Sequence, residues 1–96
     1  MTAQKQGVSF ITTLYNKQPY LDAVCRSLQC QEGEFDREFV FVDDGSDDNT
    51  AEELKRLTAS WDNVAVVEQV NAGAADAHNV GAARASMPFL KFLDGD

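Results

Sequence analysis

Basic residues are scarce. Eight Lys and Arg stand against sixteen Asp and Glu in 96 residues, a formal charge of −8. That balance makes nucleic acid a poor partner, because phosphate binding needs an excess of Lys and Arg. Cysteine is scarce as well. Cys25 and Cys30 are the two present, and their spacing matches neither a zinc pattern nor a disulfide framework. Both read as reduced thiols, which favours a cytoplasmic setting. No run approaches the roughly 20 apolar residues that a membrane helix needs. The polar stretch from Met1 to Gly7 lacks the apolar core of a signal peptide. Any membrane association is left to residues beyond 96.

What is present is an ordinary globular composition, 44% hydrophobic and 25% charged, which argues against disorder. The length allows one small domain with a thin stability margin. The acidic excess fits solubility, or carboxylates held ready for a divalent cation.

Apolar and β-branched runs predict four strands: Val8–Leu14, Glu38–Val42, Asn63–Glu68 and Phe89–Leu93. Between them lie three helical stretches. Pro19 suits the first turn of a helix, and Leu21, Val24, Cys25 and Leu28 recur on one helical face. Gln31 to Asp36 reads as a loop. Thr50 and Glu53 have capping-box spacing and open a second helix that ends near Ser60. Ala74 to Ala85 is alanine-rich. Its small face, around Ala77, Gly81 and Ala85, would let it lie close to a sheet, and Pro88 ends it. The alternation β-α-β-α-β-α-β implies an α/β fold, a parallel sheet with right-handed helical crossovers.

In such a sheet, ligands bind outside the carboxyl ends of the strands, at a switch in strand order. Here those ends carry Tyr15-Asn16, Asp43-Asp44-Gly45-Ser46, Asn71-Ala72-Gly73 and Asp94-Gly95-Asp96. With strand order 3-2-1-4 the first and fourth strands are neighbours, and a crevice opens between Tyr15 and Asp94. Asp94 and Asp96 offer two hard oxygen ligands, as Mg²⁺ or Mn²⁺ takes together with substrate phosphates; the alternative is a solvated acidic turn. Asp43 and Asp44 sit in a loop that reads as too acidic for any core. They could accept hydrogen bonds from a base or a ribose; the alternative, that Asp43, Ser46, Asp47 and Asn49 only make turn and cap bonds, explains the paired charges poorly. Tyr15 could stack on a base or lie half-buried at the sheet edge. His78 could reach a phosphate, but a lone helical histidine is more often exposed. Arg84 reads as a surface charge.

Together these residues resemble the family 2 glycosyltransferases, over the stretch from Val8 to Asp96. The motifs that carry the resemblance are Tyr15-Asn16, Asp43-Asp44-Gly45-Ser46, Asn71-x-Gly73, Asn79-x-Gly81 and the apolar strand into Asp94-x-Asp96. The resemblance implies the Rossmann-like GT-A fold, here its nucleotide-binding half, cut at the Asp-x-Asp motif. It implies metal-dependent, inverting transfer of a sugar from a UDP, dTDP or GDP donor to an acceptor the sequence leaves unknown. Tyr15, Asn16, Asp43, Asp44, Asn71, Gly73, His78 and Asp94 would then contact the nucleotide. Asp96, with Asp94, would ligate Mn²⁺ or Mg²⁺ on the diphosphate. His78 stands where the family commonly has arginine. The acceptor-binding half and the catalytic base are expected beyond Asp96, so residues 1–96 alone should transfer no sugar. A sheet cut after its fourth strand leaves an exposed edge, so self-association is expected.

Two rival readings come from other classes. One is a phosphatase of the haloacid dehalogenase type, but there the Asp-x-Asp-Gly motif opens the domain, and here three β-α units precede it. The other is a glycosyltransferase-like module that has lost activity and serves in assembly.

Overall fold

The computed structural model describes residues 7–30, 36–71 and 73–94. Strands β1 (Gly7–Leu14), β2 (Asp36–Asp44), β3 (Val64–Gln69) and β4 (Phe89–Asp94) alternate with helices α1 (Leu21–Gln29), α2 (Thr50–Leu57) and α3 (Ala74–Arg84). A short 3-10 turn, Gln18–Tyr20, carries Pro19 into α1. The strands form one sheet in the expected order β3-β2-β1-β4, every pairing parallel.

Side chains alternate across a strand, and the two faces of this sheet are built differently. One face is aromatic. Phe10, Phe39 and Phe41 meet Leu21, Cys25 and Leu28 of α1 and Leu54 of α2, with Trp61 packed at the margin. The other is small. Ile11, Val40 and Val42 meet Ala77 of α3. A Cβ on Gly81 would overlap the Ile11 side chain and lie 3.3 Å from Val42 Cγ2. The expected close approach of α3 is therefore present, and it needs glycine at that position.

At the amino end of the sheet, Glu38 is buried on the α3 face. Its carboxylate accepts from Ser9 Oγ at 2.7 Å, from Ser86 N at 2.8 Å and from Ser86 Oγ at 2.8 Å. Met87 N donates to Ser9 Oγ at 3.2 Å. This polar clamp ties the α3–β4 connection to β1 and β2. Burial pushes the Glu38 carboxyl up, but the Ser9 and Ser86 hydrogen bonds and the Arg84 charge outweigh it and hold the group below its ordinary range. Arg84 is exposed, as expected, yet its charge reaches Glu38.

The second helix departs from the expected capping box. Thr50 is its first helical residue and Asn49 precedes it, with no side-chain cap from Asn49. The capping acceptor is Asp48, whose Oδ1 takes both Thr50 N at 2.9 Å and the Thr50 hydroxyl. A carboxylate is the stronger acceptor there, and Thr50 Oγ1 is engaged elsewhere, accepting from Lys17 N at 3.0 Å. The helix also stops at Leu57, short of Ser60, and Thr58 Oγ1 donates back to Leu54 O at 2.9 Å.

Candidate functional site

Strand β2 runs two residues further than the apolar pattern predicts, through Asp43 and Asp44. Asp43 pairs with Leu14 and Glu68, and Asp44 pairs with Gln69. Both carboxylates are buried, 4% and 6% exposed, so the expectation of an acidic loop outside the core is corrected. The physical reason is alternation plus hydrogen bonding. Successive strand residues face opposite sides of the sheet, which separates the two charges. Each then finds donors. Asp43 Oδ1 accepts from the Ser46 hydroxyl. Asp44 accepts from Gln69 Nε2 at 2.8 Å and from Gly73 N at 3.1 Å. The pair thus reaches in two directions, toward the β2–α2 loop and toward the β3–α3 turn.

The loop after β1 is bound to the loop after β2. Asn16 sits in the left-handed region at φ 51°, a conformation that asparagine tolerates better than most side chains. Its N–H donates to Ser46 Oγ at 2.8 Å, and its Oδ1 accepts from Asp47 N at 2.7 Å and Asp48 N at 3.4 Å. Gln18 N donates to Asp48 Oδ2, and Asn49 N donates to Gln18 Oε1, each at 3.3 Å. Burial raises the Asp48 carboxyl, but the bonds from Thr50 and Gln18 prevail and keep it below its ordinary range. Gly45, at φ 74°, touches a third loop: a Cβ there would lie 2.6 Å from Asn71 N. Both its backbone angle and this close approach require glycine.

Tyr15 is 42% exposed at the end of β1. Asn71 is exposed, and Gly73, at φ 96°, opens α3 at the same end of the sheet. The backbone of Asp94 closes β4, where it pairs with Thr13. The Asp94 carboxylate, Gly95 and Asp96 lie outside the described residues. His78 is half-buried, with its ring edge-on to Phe92 at 5.2 Å between centroids, so it packs between α3 and β4 and is not the exposed histidine expected.

Two functional-site residues escape the sequence reading. Gln69 is the last residue of β3 and shares a face with Ala65 and Val67; a polar side chain ending an inward-facing row is the signal that could have found it. Gln18 gives no such signal, since its partners come from a loop 30 residues away.

The model of the family described as glycosyl transferase family 2 matches residues 9–96. The chain belongs to glycosyl transferase family 2. Within it, the chain is 33% identical over 93 residues to poly-beta-1,6-N-acetyl-D-glucosamine synthase of Staphylococcus epidermidis, a match that covers 97% of this chain and 22% of that protein. The same synthase of Staphylococcus aureus is 31% identical over 91 residues, with 95% and 22% covered. Among solved structures, S. aureus TarS 1–349 in complex with UDP-GlcNAc is similar at TM-score 0.83 and 29% identity, covering 95% of this chain and 27% of that one. A mannosyltransferase from Pyrobaculum calidifontis, in complex with GDP-Man and Mn²⁺, has TM-score 0.84 at 24% identity, covering 99% and 28%, and speaks to the fold alone. The chain thus spans about a fifth of the curated family 2 proteins it matches. Its fold is that of GT-A glycosyltransferases.

Proposed function

We propose that this chain forms the donor-binding part of a glycosyltransferase that takes a nucleotide diphosphate sugar, of the UDP type. The observation that carries the reading is convergence. Tyr15, Asp43, Asp44, Gly73 and the end of β4 meet at the carboxyl edge of a parallel sheet whose order reverses between β1 and β4. Ligands of open α/β sheets bind at such a switch point. S. aureus TarS 1–349, at 29% identity, has been solved with UDP-GlcNAc and with UDP, which supports the uridine form of donor.

In this proposal the exposed Tyr15 ring stacks on the base. Asp43 and Asp44 end β2 at the same edge, and carboxylates are strong acceptors for the donors of a base and a ribose. Asn71 and Gly73 border the nucleotide, and His78, one turn into α3 and packed on Phe92, lies near them in the chain. By residue chemistry Asp94 and Asp96 would offer a divalent cation hard carboxylate oxygens, as Mn²⁺ and Mg²⁺ prefer, and the backbone of Asp94 ends β4 at this edge of the sheet. When bound, the ion would stabilise charge on the leaving nucleoside diphosphate. The acceptor site and the base that makes transfer inverting belong, in this proposal, to chain beyond Asp96. Both cysteines are free thiols, which suits a cytoplasmic site.

Self-association belongs to the same proposal, with a second copy of this chain as partner. Strand β4 is an outer strand of the sheet, and Phe89, Leu90 and Phe92 on it are 52%, 43% and 45% exposed. Edges of this kind template strand pairing. A sedimentation profile that stays monomeric at high concentration would contradict it. The donor site itself is tested by calorimetric titration with UDP, GDP and dTDP, with and without Mn²⁺. Saturable UDP binding that Asp96→Ala weakens only when metal is present is expected. Equal affinity for all three nucleotides would contradict the uridine assignment.

A further inference from the structure

We infer that Asn16 is a positioning residue, acting on a bound nucleotide only through the β2–α2 loop that it latches. The inference rests on the donor-site reading above and changes what Asn16 does within it.

Every polar contact shown for Asn16 goes to one loop, 30 to 32 residues further along the chain. Its carboxamide oxygen already accepts from two main-chain N–H groups, those of Asp47 and Asp48. An oxygen used in this way has little left to offer a ligand. Its own N–H donates to Ser46 Oγ, and the Ser46 hydroxyl donates onward to Asp43 Oδ1. The result is a directional relay from the β1–α1 loop to the buried carboxylate, in which each bond polarises the next.

The left-handed turn at Asn16 sets where Tyr15 leaves β1. The relay sets which way Asp43 faces. One residue therefore fixes both an exposed ring and a buried acceptor, at the ends of adjacent strands. Flanking bonds from Lys17 N to Thr50 Oγ1 and from Gln18 N to Asp48 Oδ2 make the two loops a single body. Preorganisation of this kind adds affinity without adding a contact, because less ordering is left for the ligand to impose.

Two substitutions separate the roles of Asn16. Asn16→Gly keeps the left-handed backbone and deletes the acceptor. Asn16→Asp keeps both. Amide hydrogen exchange at Asp47 and Asp48 reads the latch with no nucleotide present, and UDP calorimetry reads the consequence. In the unaltered chain the two amides are expected to be protected. In Asn16→Gly they exchange about tenfold faster and the Kd for UDP rises about tenfold, within the range for the two hydrogen bonds lost with the acceptor. Asn16→Asp restores both.

If Asn16→Asp keeps the amides protected yet binds UDP as weakly as Asn16→Gly, the side chain touches the nucleotide directly and the inference is overturned. Fast amides with unchanged UDP affinity in Asn16→Gly overturn it as well. An unaltered chain with protected amides and no UDP binding overturns the donor-site reading, and the positioning role with it.

Discussion

At the amino end of the sheet, Glu38 is held by Ser9 and Ser86. At the carboxyl end, Asp43 and Asp44 are held by Ser46, Gln69 and the Gly73 N–H. All three carboxylates are buried to a similar degree. What differs is what they bind together. Glu38 joins β1 to the connection that feeds β4, so its bonds fix the sheet. Asp43 and Asp44 join β2 to the loops at the carboxyl edge, so theirs would fix the shape of the proposed donor site. Burial alone does not separate the three; the elements that each one ties together do.

Removing Glu38 should give the largest effect. Glu38→Ala leaves the Ser9 hydroxyl and the Ser86 N–H and hydroxyl without their acceptor and is expected to cost about 3 kcal/mol in urea denaturation. UDP affinity of the folded fraction should stay within about twofold, a change small against the ~1.4 kcal/mol of a tenfold effect. Loss of UDP binding in step with stability would erase the contrast between the two ends. Asp44→Ala should show the opposite balance. It is expected to lose about 2 kcal/mol, because Gln69 and Gly73 N–H lose their acceptor, and to abolish UDP binding even when fully folded by circular dichroism.

Acid sharpens the contrast at a smaller scale. The folded Glu38 carboxyl lies below its ordinary value of 4.5. Its contribution is therefore complete above 4.5 and is lost as the pH falls through the lower, folded value. The stability gap between the parent and Glu38→Gln should narrow across that acid window. A gap that stays constant from neutral pH to strong acid would show that the charge is not what the clamp uses.

The smallest effect is expected at the thiols, which belong to neither end. Burial, with Asp22 adding to it, pushes the Cys25 thiol up to about 11, while Cys30 is exposed. At neutral pH a disulfide reagent should modify Cys30 alone and leave UDP affinity unchanged. Rapid reaction of both would contradict the packing of α1.

The fold was legible where periodicity is strong. Leu21, Cys25 and Leu28 recur on the buried side of α1, and the small row at Ala77 and Gly81 announces the tight approach of α3. The four polar strand ends could be placed because a parallel sheet gathers them at one edge. Illegible were the contacts that depend on register. That Asp44 would face Gln69 follows from pairing β2 with β3, not from either segment. That His78 would rest on Phe92 follows from the neighbouring position of β4. The capping box failed for the same reason, since Thr50 is drawn to Lys17 across the sheet's edge.

The most direct test is a calorimetric titration of UDP into this chain in the presence of Mn²⁺, run beside Asp44→Ala and Glu38→Gln. A saturable site is expected in the parent, lost in Asp44→Ala and retained in Glu38→Gln. A folded parent that takes up no UDP, or one whose affinity survives Asp44→Ala, would contradict it.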